Sequence, residues 1–150
     1  MAKLQSVDSE LNPREVTELK LPAAGVPAAG IAIVRDAQTS LGLVELRRRR
    51  SLALGRDEYE ILFNGDLMMS SAVHVSEDAL AERGLAEARG EGLRVLVGGL
   101  GLGFTARRVL GDRNVQSVVI VELLAPIIEW HRQGVLPWSE ELLADERTAV

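Results

Sequence analysis

The chain has 150 residues, of which 47% are apolar and 26% charged, and its 17 Lys and Arg against 22 Asp and Glu leave a net charge of −5. This is globular composition, long enough to bury roughly 70% of the unfolded surface, and it excludes a disordered chain. The lack of cysteine excludes disulfide scaffolds, thiolate metal sites and thiol nucleophiles, while the acidic balance and only 3% aromatics argue against nucleic-acid binding.

Residues 1–30 read as a loosely structured lead-in, because the Ala/Gly/Pro repetition around VPAAG suits neither a helix interior nor a strand interior. The uncharged stretch Leu21–Val34 is too short to span a membrane and is broken by Pro22, Gly25, Pro27 and Gly30. Ahead of it, Asp8, Glu10, Glu15 and Glu18 outweigh Lys3, Arg14 and Lys20, which is not the pattern of a signal peptide. A cytoplasmic protein without membrane contact is expected.

Residues 31–72 read as a small antiparallel β-meander. Ile31–Arg35 and Leu41–Arg49 are its first strands, and Tyr59, Ile61 and Phe63 alternate with Glu60, Leu62 and Asn64 in the next. Asn64-Gly65 is a hairpin signal, since both residues tolerate positive φ, and Leu67–Ser71 is the return strand. A helix is expected over 76–89, with Ser76 as N-cap, Glu77 and Asp78 complementing the helix dipole, and Gly90 and Gly92 as its stop. Leu93–Val97 is a short apolar strand. A glycine cluster, a short helix at Thr105–Leu110 and a second buried strand at Ser117–Val121 follow. Pro126 opens a helix running to about Gln133, Pro137 and Ser139 open another, and Leu142–Val150 leads toward a third strand. Alternating strand and helix implies a parallel sheet with right-handed crossovers.

The chemistry is concentrated in Gly98-Gly99-Leu100-Gly101-Leu102-Gly103, between a strand and a helix, and in Glu122 at the next strand end, 21 residues after Gly101. Glycines there let backbone turn tightly and approach a ligand, and a strand-end carboxylate can accept both hydroxyls of a ribose. The spacing is G-x-G-x-G, not the G-x-G-x-x-G of dinucleotide folds, and no Gly-Lys-Ser/Thr follows as in a P-loop. It matches S-adenosylmethionine-dependent enzymes; the alternative is a glycine-rich turn used only for packing.

The stretch VLVGGLGLGFTARRVL…VQSVVIVELLAPIIEWHRQGVLP, residues 95–137, resembles the spermidine synthase family of aminopropyltransferases, and ILFNGDLMMSS, residues 61–71, is similar to the hairpin before their cofactor domain. The resemblance implies an α/β protein: a Rossmann-like methyltransferase fold, a parallel sheet with flanking helices, preceded by an antiparallel β-meander. Residues 73–150 would be the first half of the nucleoside-binding domain. It further implies that Gly99, Gly101 and Gly103 approach the amino-acid end of S-adenosylmethionine or its decarboxylated form, that Glu122 holds the ribose, and that a polyamine amine is the acceptor. The glycine loop and Glu122 are shared with methyltransferases generally, so methyl transfer to a small molecule is the alternative.

Two features depart from the family. Its members carry a Tyr beside a Gln or His after the hairpin, whereas Ala72–Asp78 holds no Tyr; His74 and Glu77 are the candidates for that role. The family's catalytic Asp ends a fourth strand, beyond Val150, so the chain is expected to be the N-terminal portion of a longer enzyme or a module that self-associates or assembles with a partner. Among other residues, His74 reads also as an inert loop or hairpin-edge residue, His131 as a packing or surface residue, Trp138 as packing or an adenine flank, and Arg47–Arg50 as a solvated strand end or loop. Two isolated histidines make a poor metal site, and no metal is expected.

Overall fold

The computed structural model describes residues 30–150; the lead-in expected over 1–30 lies, but for Gly30, outside them. Four strands form one antiparallel sheet in chain order: β1 (Ile31–Gln38), β2 (Leu43–Ser51), β3 (Arg56–Phe63) and β4 (Asp66–Ser70). The alternation read in the sequence puts Val44, Leu46, Tyr59 and Ile61 on the buried face. Asn64 and Gly65 take φ of 51° and 86°, and the Asn64 side chain accepts the Leu43 N–H at 2.9 Å, tying the hairpin to β2. Strand β1 runs on past the apolar run Ile31–Arg35 to Gln38, with a register irregularity between Ile33 and Arg35.

Helix α1 (Val75–Glu87) leads to the parallel layer: β5 (Leu93–Gly98), α2 (Phe104–Leu110), β6 (Val115–Val121), α3 (Ala125–Arg132), α4 (Ser139–Ala144) and β7 (Thr148–Ala149). Strand order is β5-β6-β7, with both pairings parallel. The N-cap of α1 is His74, not Ser76. The first intrahelical bond runs from the Asp78 N–H to the His74 carbonyl at 3.1 Å, and the Ser76 hydroxyl turns to the Glu77 carboxylate instead. The helix also stops at Glu87, because Ala88 is extended with ψ of 145°, before either glycine is reached.

One core joins the two layers: Val44, Leu46, Tyr59 and Ile61 of the antiparallel sheet share it with Leu102, Phe104, Trp130 and Leu142. Val97, Val118 and Ile120 bury their side chains under the helices, whereas Leu96, Val119 and Val121 on the opposite face are 69%, 45% and 57% exposed. Parallel sheets are normally covered on both faces. Beside α1, a groove of about 380 Å³ opens along β5, lined by Leu80, Leu85, Val95 and Val97 among others. Among the described residues no helix is long and apolar enough to cross a membrane.

Candidate functional site

Parallel pairing sets Gly98 opposite Val121, and the Gly99 N–H donates to the Val121 carbonyl at 2.8 Å, so the carboxyl ends of β5 and β6 stand side by side. This is where ligands enter open α/β sheets. Glu122, the first residue past β6, therefore meets the glycine loop. Its Oε2 accepts the Leu100 N–H at 2.8 Å and the Gly101 N–H at 3.2 Å, and its Oε1 accepts the Leu124 N–H at 2.9 Å. A carboxylate has about four acceptor positions, so a ligand hydroxyl can still be accepted.

The far side of the loop is held by side chains from distant elements. His131 of α3 donates from Nε2 to the Gly101 carbonyl at 2.8 Å. The Trp138 indole N–H donates to the Leu102 carbonyl, and the Leu102 N–H points at Met69 Sδ of β4 at 3.0 Å. Ser139 Oγ lies 3.0 Å from His131 Nδ1. Loss of water around buried His131 pushes its pKa below the ordinary 6.5, against the opposing pull of the Gly101 bond and the Glu122 charge. Sequence reasoning missed these braces. They lie 30 or more residues from the loop positions they hold, and no local pattern joins them.

The three glycines singled out from the sequence do different things. All have positive φ: 97° at Gly99, 48° at Gly101 and 87° at Gly103. A Cβ on Gly101 would lie 2.9 Å from Met69 Sδ, and one on Gly103 would lie 2.9 Å from Leu142 Cδ2 and 3.3 Å from His131 Cε1. These two glycines admit the loop's own braces. A Cβ on Gly98 or Gly99 would meet open space, and both residues are exposed. The bare backbone available to a ligand is thus Gly98–Gly99, next to Glu122.

His74 stacks on Phe104, with ring centroids 4.1 Å apart and an interplanar angle of 9°, and its Nδ1 is 2.8 Å from Asp78 Oδ2. It is therefore fixed against the residue that follows the loop. The Glu77 carbonyl accepts the Thr105 hydroxyl at 3.4 Å, which docks α1 on α2. Among the described residues, no hydrogen bond joins the His74 or Glu77 side chain to Glu122 or the loop. Trp138 packs edge-on to Tyr59 and tilted on Phe104. Arg47 pairs with Glu45, Arg48 and Arg50 with Asp57, and Arg49 with Glu58 and Glu60, an ion-pair ladder within β2 and β3. Among the described residues no three His, Asp or Glu side chains converge as a metal site.

No protein-family model and no curated protein matches the sequence. Solved structures do. A spermidine synthase in complex with the transition-state analogue AdoDATO is similar, with a TM-score of 0.60 at 18% identity over 78% of this chain and 38% of that one. Spermidine synthase from Thermotoga maritima is also similar, with a TM-score of 0.60 at 18% identity over 78% of this chain and 39% of that one. The chain thus spans less than half the length of the structures it matches. At this identity the likeness shows the fold alone: this chain has a spermidine synthase-like fold, a Rossmann-like parallel layer joined to an antiparallel β-meander.

Proposed function

We propose that the chain binds S-adenosylmethionine or its decarboxylated form and serves a spermidine synthase-like transfer of an aminopropyl group to a polyamine. The observation that carries the reading is the exposed, Cβ-free backbone of Gly98–Gly99 beside Glu122, at the ends of two parallel strands. In this reading Glu122 accepts one ribose hydroxyl at its remaining acceptor position while its bonds to Leu100, Gly101 and Leu124 keep the loop in shape. Gly99 gives the remainder of the nucleoside close access to backbone. Gly101 and Gly103 contribute through the packing that holds the loop.

The chemistry is a displacement at carbon. The lone pair of a polyamine nitrogen attacks the carbon beside the sulfonium, the carbon–sulfur bond breaks, and its electron pair leaves with sulfur as neutral methylthioadenosine. The new ammonium then loses a proton. His74 is the candidate acceptor of that proton: Asp78 holds Nδ1, leaving Nε2 as the basic ring nitrogen. Glu77 and Asp78 add negative charge that favours a cationic acceptor.

Two other readings have support. The lack of a Tyr in 72–78 favours methyl transfer on the same fold. The uncovered face of the parallel sheet favours a module that is completed by a further segment or by association with another subunit. Competition binding of S-adenosylmethionine, its decarboxylated form and methylthioadenosine separates them. Preference for the decarboxylated form supports aminopropyl transfer, preference for S-adenosylmethionine supports methyl transfer, and binding of none removes the nucleoside reading.

A further inference from the structure

Two consecutive peptides of the loop face opposite ways. The Leu100–Gly101 peptide donates its N–H to Glu122 at 3.2 Å, and its carbonyl accepts the Gly103 N–H at 2.7 Å. The Gly101–Leu102 peptide offers its carbonyl to His131 Nε2 at 2.8 Å and its N–H to Met69 Sδ at 3.0 Å. A thioether is a weak acceptor, so the His131 bond is the stronger grip on this peptide. A carbonyl oxygen can only accept; Nε2 must therefore carry the ring proton. In a neutral imidazole Nδ1 is then an acceptor, and its partner at 3.0 Å is the Ser139 hydroxyl, which donates to it. Both side chains are excluded from water, His131 at 1% and Ser139 at 0% exposure. The tautomer is thus set by the Gly101 carbonyl, and the Ser139 hydroxyl at the start of α4 satisfies the other ring nitrogen.

We propose that His131, an Nε2–H imidazole whose ring is held in place by Ser139, is the positioning residue that sets the orientation of the Gly101–Leu102 peptide and so keeps the Leu100 and Gly101 amides on Glu122. Glycine at 101 has no Cβ to oppose rotation of this peptide, so the orientation has to be imposed from outside the loop. Its consequence for ligand binding rests on the nucleoside reading; the loop geometry does not.

Three variants of the full chain test it: His131→Leu, which fills the space without an N–H; His131→Gln, which restores a donor near Nε2; and Ser139→Ala, which keeps the ring and removes its lock. Long-range 1H–15N correlation is expected to show the proton on Nε2 in the wild type. Hydrogen exchange at Leu100, Gly101 and Leu102 is expected to be about tenfold faster in His131→Leu, the scale of one lost hydrogen bond, and near wild type in His131→Gln. The amides of β6 should not change. Should His131→Leu fail to fold, Ser139→Ala carries the test, with faster loop exchange expected at unchanged β6 protection. Methylthioadenosine affinity should follow the same order. A proton on Nδ1, or equal loop exchange in the Leu and Gln variants, would overturn the assignment and leave His131 as filling alone. Normal tautomer and exchange results in a protein that does not bind methylthioadenosine would contradict the nucleoside reading while supporting the role of His131 in the loop.

Discussion

Gly99 and Gly103 have nearly the same φ, 97° and 87°, yet a methyl group added at each meets different surroundings. Gly99→Ala incurs only the backbone strain, about 1–2 kcal/mol for an L-residue in left-handed geometry. Gly103→Ala adds a clash with Leu142 Cδ2 at 2.9 Å, in a packed core where over-filling costs about 1–3 kcal/mol more. Thermal unfolding should therefore rank wild type above Gly99→Ala and Gly99→Ala above Gly103→Ala, whereas methylthioadenosine affinity should suffer at Gly99 even though the fold survives. Equal unfolding temperatures for the two variants would show that Gly103 is not a packing glycine. The glycine spacing and Glu122 were legible in the sequence because strand, loop, helix and acid lie within one short stretch. That Gly101 and Gly103 face the protein was not legible, because Met69, His131 and Leu142 reach them only through the tertiary fold.

The elements form where local patterns agree. Alternation in β3, the Asn64-Gly65 turn and the proline-started α3 were all visible as periodicity or turn chemistry. The start of α1 lies ahead of Ser76: His74, stacked on Phe104, is the N-cap and makes no side-chain capping bond, so the cap preference of Ser76 does not set the boundary. The edge strand β7 has only two residues and is secured by Arg147, which donates to the Leu110 carbonyl at 2.7 Å and to Asp145 Oδ2 at 2.7 Å. Arg147→Met should detach β7, seen as faster hydrogen exchange at Val118, whose N–H donates to the Arg147 carbonyl at 2.8 Å. Unchanged exchange there would remove Arg147 from that role.

Side-chain and backbone hydrogen bonds from Arg147 hold the Asp145 carboxyl down to about 2, against an ordinary 3.8. A lowered carboxylate pKa stabilises the fold above the unfolded value, so this contribution is lost as pH falls from 3.8 through about 2. His131 adds a separate window. Burial lowers its pKa, so the unfolded chain takes up the proton first, and stability declines as pH falls below 6.5. Denaturant titrations across pH should show both declines, and His131→Gln should flatten the one that begins at 6.5 while leaving the acid one. A wild-type profile flat across that upper window would contradict the burial argument for His131.

At the scale of the molecule, the helices α2, α3 and α4 contribute to the core on one side of the parallel sheet, while Leu96, Val119 and Val121 stay uncovered on the other. Sequence periodicity revealed the strands but not this imbalance, because a continuous apolar run such as VVIV does not say which of its faces meets a helix. Among the described residues β5 is an edge strand of this sheet, and an apolar face beside such an edge promotes association. Light scattering should show concentration-dependent self-association that Leu96→Lys reduces; a monodisperse monomer at every concentration would count against it.

The central claim is that Glu122 and the bare strand-end backbone hold a nucleoside, and calorimetric titration of methylthioadenosine into the wild type and Glu122→Gln tests it most directly. Glutamine keeps the size and one acceptor oxygen but removes the charge, and a charge-assisted hydrogen bond contributes about 1.5–3 kcal/mol. The predicted result is saturable binding to the wild type, weakened roughly 10- to 100-fold in Glu122→Gln. Equal affinity in the two proteins, or no binding to the wild type, would contradict it.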